Sequence, residues 1–255
     1  MLSDGDLDVV ARAELGNLCD LIVVVGGDGS LLGVARDLAH TQVPVVGINR
    51  GGLGFLAGIP PDRVEDMLGA ILAGDYLLEN HFLLQAELNR AGATVAQSLA
   101  LNDVVVHPGS LARMIEFNVS INEEFVYQQR SDGLIVASPT GSTAYALSAG
   151  GPIMHPSLDA LVIVPMFPHT LTSRPLVVEG NSEIEVVLTD IGDTSPQVSC
   201  DSQVVTPVRV GDQIIIKKAK VPLKLLYPKE HSFFESCRNK LDWASRLGQA
   251  NLSSN

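Results

Sequence analysis

Leu21-Ile22-Val23-Val24-Val25-Gly26-Gly27-Asp28-Gly29-Ser30 decides the fold of the first third of the chain. An apolar run ended by a Gly-Gly pair reads as a buried parallel strand, and residues 31–39 behind the loop have helical spacing. The loop therefore joins a strand end to a helix start. Free backbone N–H groups and the positive end of the helix dipole favour an anion there. Asp28 would repel a phosphate bound directly against it, so a carboxylate in this place suits a group that removes a proton or holds Mg²⁺ near the phosphate. It suits equally a turn residue that caps the next helix, and these ten residues alone leave both readings open.

Outward from that loop the pattern continues with a strand over 43–48, a loop over 49–55 and a helix over 61–73. This βαβα punctuation favours a parallel sheet, here a partial Rossmann-like one spanning residues 1–78. The second strand also runs into a glycine loop, Gly47-Ile48-Asn49-Arg50-Gly51-Gly52-Leu53-Gly54-Phe55, so two such loops leave the carboxyl edge of one sheet, where ligands of open α/β sheets bind. No convincing strand precedes Leu21, and an N-terminal βα unit is expected to be absent. Residues 79–227 read instead as a β-rich domain of short antiparallel strands, at 82–88, 103–107, 115–121, 125–128, 133–137, 161–164, 184–188, 197–199, 204–205, 213–217 and 223–226. A helix over 233–247 lies in a tail, 228–255, that returns to the first domain, with 249–255 expected to fray.

The chain has 255 residues, 46% hydrophobic and 18% charged, as a globular protein does. A formal charge of −12 opposes binding to nucleic acid or to an anionic membrane, so small molecules are the expected partners. Cys19, Cys200 and Cys237 show no paired spacing, and the first residues are acidic where a signal peptide is basic. A soluble, cytoplasmic protein is expected. The six histidines, at 40, 81, 107, 155, 169 and 231, have no metal-ligand spacing, and no side-chain metal ligand is assigned. The segment 26–33 lacks the lysine of a Walker A loop and is one residue off the dinucleotide fingerprint.

A second constellation begins at Arg130-Ser131-Asp132-Gly133. It crosses the strand Leu134-Ile135-Val136-Ala137 and ends in Ser138-Pro139-Thr140-Gly141-Ser142-Thr143-Ala144-Tyr145. Its hydroxyls and amides could serve a base, ribose or phosphate, and the Tyr145 ring offers a stacking face. The same residues are equally a Ser/Thr-rich turn that starts a helix at Ala144, with Ser142 or Thr143 as N-cap. In Asn102-Asp103 the carboxylate could accept two ribose hydroxyl protons, or the pair could be a simple turn.

Taken in order, Gly26 to Ser30, Asn49 to Phe55, Asn102-Asp103 and Arg130 to Tyr145 resemble the motifs of the NAD kinase family. The glycine-Asp-glycine loop alone is shared with phosphofructokinases and lipid kinases; the hydroxyl loop narrows the resemblance. Gly150-Gly151-Pro152-Ile153, Pro165 to His169 and Cys200 to Gln203 are similar to the gamma-proteobacterial form. The resemblance implies ATP- and Mg²⁺-dependent phosphorylation of the adenosine-ribose 2′-hydroxyl of NAD⁺, giving NADP⁺. It implies Asp28 as general base, with Gly27, Gly29 and Ser30 on the triphosphate side and Phe55 lining the adenosine pocket. Asn102 and Asp103 would bind the NAD adenosine, Thr140, Thr143, Ala144 and Tyr145 would enclose it, and Asp132 would meet the nicotinamide. Asn49 and Ser148 count among the binding positions, and Arg130 belongs to the site or to a subunit interface. A homodimer or homotetramer follows from the same resemblance, as does a cleft where Asp28 faces Tyr145. Ser30 stands where Thr is usual and Asp103 where Glu is usual, each keeping its functional group. The absent N-terminal unit motivates the competing expectation of a catalytically weak NAD(H)- or NADP(H)-binding protein.

Overall fold

The structure, a computed structural model, describes residues 8–50, 54–109 and 113–243. It divides into two compact units, Met1–Glu79 with Leu223–Asn255, and Asn80–Pro222. The first opens with a helix that the sequence reading did not anticipate, α1 (Arg12–Leu18), whose first turn is closed by the Ala11 amide donating to Glu14. Then follow β1 (Ile22–Gly26), α2 (Asp28–Leu38), β2 (Val45–Asn49), α3 (Val64–Leu72) and β3 (Leu77–His81). β1 and β2 pair in parallel with Gly26 opposite Asn49, so the two glycine loops leave the same sheet edge.

Helices cover both faces of this sheet. A Cβ on Gly47 would meet Leu31 of α2 at 2.8 Å and the Ala57 backbone at 2.9 Å, so only glycine lets the helix and the following loop approach β2 this closely. On the opposite face Met67 and Ile71 of α3 pack on Val46, Ile48 and Ile59. The expectation that residues 21–25 are a buried strand needs correction, because Val23 is 40% and Val25 59% exposed. β1 is an edge strand, and α3 packs over its neighbours, so burial along it alternates.

The second unit holds β4 (Leu84–Arg90), β5 (Ala93–Ala100), β6 (Asp103–His107), β7 (Ile115–Ile121), β8 (Glu124–Ser131), β9 (Gly133–Ala137), the single-turn α4 (Tyr145–Ser148), β10 (Ala160–Met166) and β11 (Leu176–Glu179). It continues through β12 (Ile184–Asp190), β13 (Gln197–Cys200), β14 (Val204–Pro207) and β15 (Gln213–Lys218). They form two six-stranded sheets, in orders β11-β10-β9-β6-β13-β14 and β5-β4-β15-β12-β7-β8. Inward residues of both, among them Phe117, Leu134, Leu161, Val186 and Ile214, make one shared core. The first sheet is also covered on its other face, where Ala146 and Met154 pack on Val105, Ile135 and Val164; β9 is accordingly buried throughout. β5 was not expected, since its Ala, Thr, Gln and Ser residues carry little apolar alternation. It is specified by the turn Ala91-Gly92, where both residues have positive φ, the geometry of a tight hairpin.

The chain then returns to the first unit sooner than the sequence suggested. β16 (Leu223–Tyr227), read above as the last strand of the β-rich domain, pairs parallel to β2 with Leu225 opposite Val45, and the sheet order is β1-β2-β16-β3. Its Leu226 joins the α3 core, which explains its apolar run. α5 (Phe233–Lys240) follows, N-capped by Ser232 accepting from the Glu235 amide at 3.3 Å and anchored by the buried Cys237. The part of the expected 233–247 helix beyond 243 lies outside the described residues. Among the described residues no helix is long and apolar enough to cross a membrane.

Candidate functional site

Asp28 is the first residue of α2, behind the N-cap Gly27, and its side chain makes no cap on its own helix. Instead Oδ2 accepts the Phe55 amide at 2.6 Å and Oδ1 the Leu56 amide at 3.1 Å. This overturns the capping alternative: the carboxylate is aimed at the loop after β2 and fixed there by two backbone donors. Each oxygen keeps a second lone pair able to accept a proton or a hydrogen bond. A Cβ on Gly54 would stand 2.1 Å from Oδ1, so glycine at 54 is what makes room for the carboxylate. At Gly27, by contrast, an added Cβ meets nothing within 4 Å. Gly27, Gly29 and Ser30 are exposed at the positive end of the α2 dipole, where the Ser30 amide donates to the Gly27 carbonyl at 3.0 Å.

Phe55 is half-buried, and Lys240 at the end of α5 holds its ammonium 5.1 Å from the ring centroid. Burial lowers the pKa of that amine, opposed by the negative charge of Asp28. Asn49 closes β2 and, with Arg63, His231 and Lys240, lines a cavity of ≈ 390 Å³. Sequence reasoning missed Lys240, which no local motif links to the glycine loop.

In the second unit the hydroxyls of 138–143 build the loop. Ser138 Oγ donates to the Leu101 carbonyl (2.5 Å) and accepts from the Gly141 amide (3.2 Å). Ser142 Oγ donates to the Pro139 carbonyl (2.6 Å) and accepts from the Met154 amide (2.9 Å). Thr143 donates to the Thr140 carbonyl (3.1 Å), and Thr140 Oγ1 lies 2.8 Å from His81 Nδ1. The expected cap by Ser142 or Thr143 is not formed, since both are committed elsewhere and the N-cap of α4 is Ala144, without a side-chain bond. A Cβ on Gly141 would fall 2.0 Å from the Asn102 carbonyl oxygen, so this loop rests on the backbone of Asn102.

The segment 101–103 is held from below. Asp201 accepts the amides of Leu101 (3.1 Å), Asn102 (2.8 Å) and Asp103 (3.4 Å). Asp103, the first residue of β6, is 3% exposed. Burial, and after it the charge of Asp201, push its carboxyl up to about 7.

Asp132 and Tyr145 line one cavity of ≈ 600 Å³, together with His107, Gln197, Ser199 and Ser202. None of the last four was read from the sequence as a site residue, although Ser202 lies in the segment 200–203 noted there. Gln197 lies opposite His107 and Ser199 opposite Val105 across β13 and β6, so they share a face through strand register, which has no local signal. Tyr145 is 43% exposed, its ring available for stacking. Arg130 lies elsewhere, exposed on β8 opposite Glu116 in the other sheet, and Ser148 borders a separate hollow of ≈ 210 Å³ with Phe167 and Arg174. Among the described residues no three His, Cys, Asp or Glu side chains are grouped to hold a metal ion.

Two outcomes follow from this geometry. Gly54→Ala displaces a side chain that can rotate away, so it is expected to cut turnover by about 10²-fold or more with a small change in melting temperature. Gly27→Ala leaves the melting temperature unchanged and weakens only steps that need an anion at the helix start; activity assays beside thermal melts check both. Between about pH 4 and about pH 7 folded Asp103 keeps a proton that the unfolded chain has lost, so stability falls as pH rises through that window. Asp103→Asn, which carries no charge, is expected to be more stable than the parent by on the order of 2 kcal/mol at pH 8 and nearly equal to it at pH 4, measured by urea unfolding at both.

Models of two families match the chain: the ATP-NAD kinase N-terminal domain over residues 3–76 and the ATP-NAD kinase C-terminal domain over 101–227. The NAD kinase of Teredinibacter turnerae is 56% identical over 248 residues, 97% of this chain and 85% of that protein. That of Pseudomonas entomophila is 57% identical over 242 residues, 95% of this chain and 82% of the relative. Among solved structures, yeast NADH kinase complexed with NADH superposes with a TM-score of 0.83 at 26% identity, over 96% of this chain and 70% of that one. An NAD kinase from Archaeoglobus fulgidus in complex with ATP gives 0.73 at 30% identity, over 90% and 85%. With both family models matched in order and relatives of this identity along nearly its whole length, the chain belongs to the NAD kinase family.

Proposed function

We propose that Asp28 is the general base in the transfer of the γ-phosphoryl group of ATP to the adenosine-ribose 2′-hydroxyl of NAD⁺. The observation that carries this reading is the carboxylate itself, turned off its own helix and fixed by the Phe55 and Leu56 amides beside the positive end of the α2 dipole. The hydroxyl oxygen bonds to the γ-phosphorus, the bond to the bridging oxygen breaks, ADP leaves, and Asp28 takes the hydroxyl proton. Charge on the moving phosphoryl falls to the positive end of the α2 dipole at Gly27, Gly29 and Ser30 and to Mg²⁺, which arrives with ATP as part of the substrate.

On the NAD side, Asn102 and Asp103 take the adenosine, enclosed by Thr140, Thr143, Ala144 and Tyr145, with Asp132 toward the nicotinamide and Asn49 and Phe55 on the adenosine side of the glycine loops. The ≈ 600 Å³ cavity supports the places given to Asp132 and Tyr145 and adds His107, Gln197 and Ser199 to them, while Asn102, Asp103, Thr140, Thr143 and Ala144 are outside its lining. Arg130, exposed and outside that cavity, suits a subunit contact better than the site. The enzyme is read as a cytoplasmic homodimer or homotetramer. The binding-only alternative is not favoured, because relatives named as NAD kinases align over 95–97% of the chain.

The test is NADP⁺ formation from NAD⁺ and Mg·ATP. Asp28→Asn is expected to lower kcat by about 10²–10⁴-fold while the Kd for NAD⁺ stays within about twofold. A loss of NAD⁺ affinity as large as the loss of rate would remove the general-base role. Tyr145→Ala is expected to weaken NAD⁺ by about tenfold through lost stacking and to leave the KM for ATP in place; equal effects on both would contradict the assignment.

A further inference from the structure

Lys240 ends α5, and three observations connect its ammonium to the Asp28 carboxylate. Nζ lies 5.1 Å from the centroid of the Phe55 ring, and the amide of that same residue donates to Asp28 at 2.6 Å. The amine is half-buried although its neighbours Arg238 and Asn239 are exposed, and the Asp28 charge acts on it. With Asn49, it borders the ≈ 390 Å³ cavity, so space is available beside it. The arrangement that delivers it is specific: Tyr227 is buried and stacked on His231 at 4.0 Å, Ser232 caps the helix, and Cys237 anchors it.

The glycine loop contains no lysine over 26–33, whereas a Walker A loop carries its own for the transferred phosphates. Asp28 meanwhile adds negative charge where a triphosphate must sit. The geometry points to Lys240 as a catalytic residue that contacts the transferring phosphoryl group of ATP and supplies from the end of the chain the cation that the loop lacks. A partly dehydrated ammonium has little water left to shed when a phosphate arrives, and the Asp28 charge opposes the lowering of its pKa by burial. A helix-terminal lysine that merely rests on an aromatic ring would steady the helix and nothing more. That role predicts changes in stability without a selective loss toward ATP.

The inference rests on the kinase reading above, and the experiment separates the two. Lys240→Met is expected to lower kcat/KM for Mg·ATP by about 30-fold or more, with the KM for NAD⁺ within about twofold and the melting temperature little changed. Lys240→Arg, which keeps the charge, is expected to restore much of the loss. Parent-like ATP kinetics in Lys240→Met would overturn the inference and leave the kinase reading standing. Should the Met variant fail to fold, amine labelling of the parent protein decides: Mg-bound β,γ-imido-ATP shields Lys240, and labelling indifferent to it overturns the proposal. If the parent makes no NADP⁺, the kinase reading fails, and the same labelling with inorganic tripolyphosphate still shows whether Lys240 meets a polyphosphate.

Discussion

The hydrogen bonds from the Phe55 and Leu56 amides to the Asp28 carboxylate are the constraint on which the first unit's site depends. They tie the loop after β1 to the loop after β2, and they can form only because those strands run parallel with Gly26 level with Asn49. Gly54 is required beside the carboxylate and Gly47 beneath it, where α2 and the Ala57 backbone close on β2. Charge-assisted bonds of this kind are shorter and stronger than neutral ones, so they hold the half-buried side chain in one orientation at the end of the sheet. The result is a carboxylate whose direction is set by backbone atoms, which do not swing between rotamers as side-chain donors do.

The second unit solves a different problem with similar means. Its polar side chains are largely consumed in shaping backbone: Ser138 and Ser142 are fully buried, and Asp201 is spread over three successive amides. What these bonds achieve is a loop, 138–145, pressed on Asn102 so closely that Gly141 has no room for a methyl group. Asp103 then sits in a poorly hydrated place beside the negative charge of Asp201, and burial first and that charge second push its carboxyl up to about 7.

How far the sequence carried this picture depends on whether the signal was local. Strand, glycine loop and helix at 22–38 were legible because apolar run, Gly-Gly and helical spacing fall within one short window. Asp28 was legible as a candidate functional carboxylate, but its partners were not, since Phe55 and Leu56 lie on the next loop and donate through atoms that every residue has. Exposure of Val23 and Val25 depends on where α3 lies in three dimensions. The hydroxyls of 138–143 were visible, yet whether they face a ligand or their own loop is decided by contacts with Leu101 and Met154. β16 was visible as a strand, but sheet membership is a pairing choice, made here by Val45 and Leu225.

Charge gives the last step. At −12 the chain repels anions at long range, and both substrates of the proposed reaction carry phosphates. At physiological ionic strength such repulsion fades within about 8 Å, so affinity is decided by groups in direct reach. In the proposed first-unit site those are the positive end of the α2 dipole and the half-buried Lys240 ammonium, with the Asp28 charge fixed by two backbone donors. A protein that is acidic overall can therefore bind polyphosphate selectively, provided its few positive elements are held rigidly where the phosphates lie. The carboxylate clamp, the capped C-terminal helix and the glycine positions are three ways of providing that rigidity from a chain whose net charge points the other way.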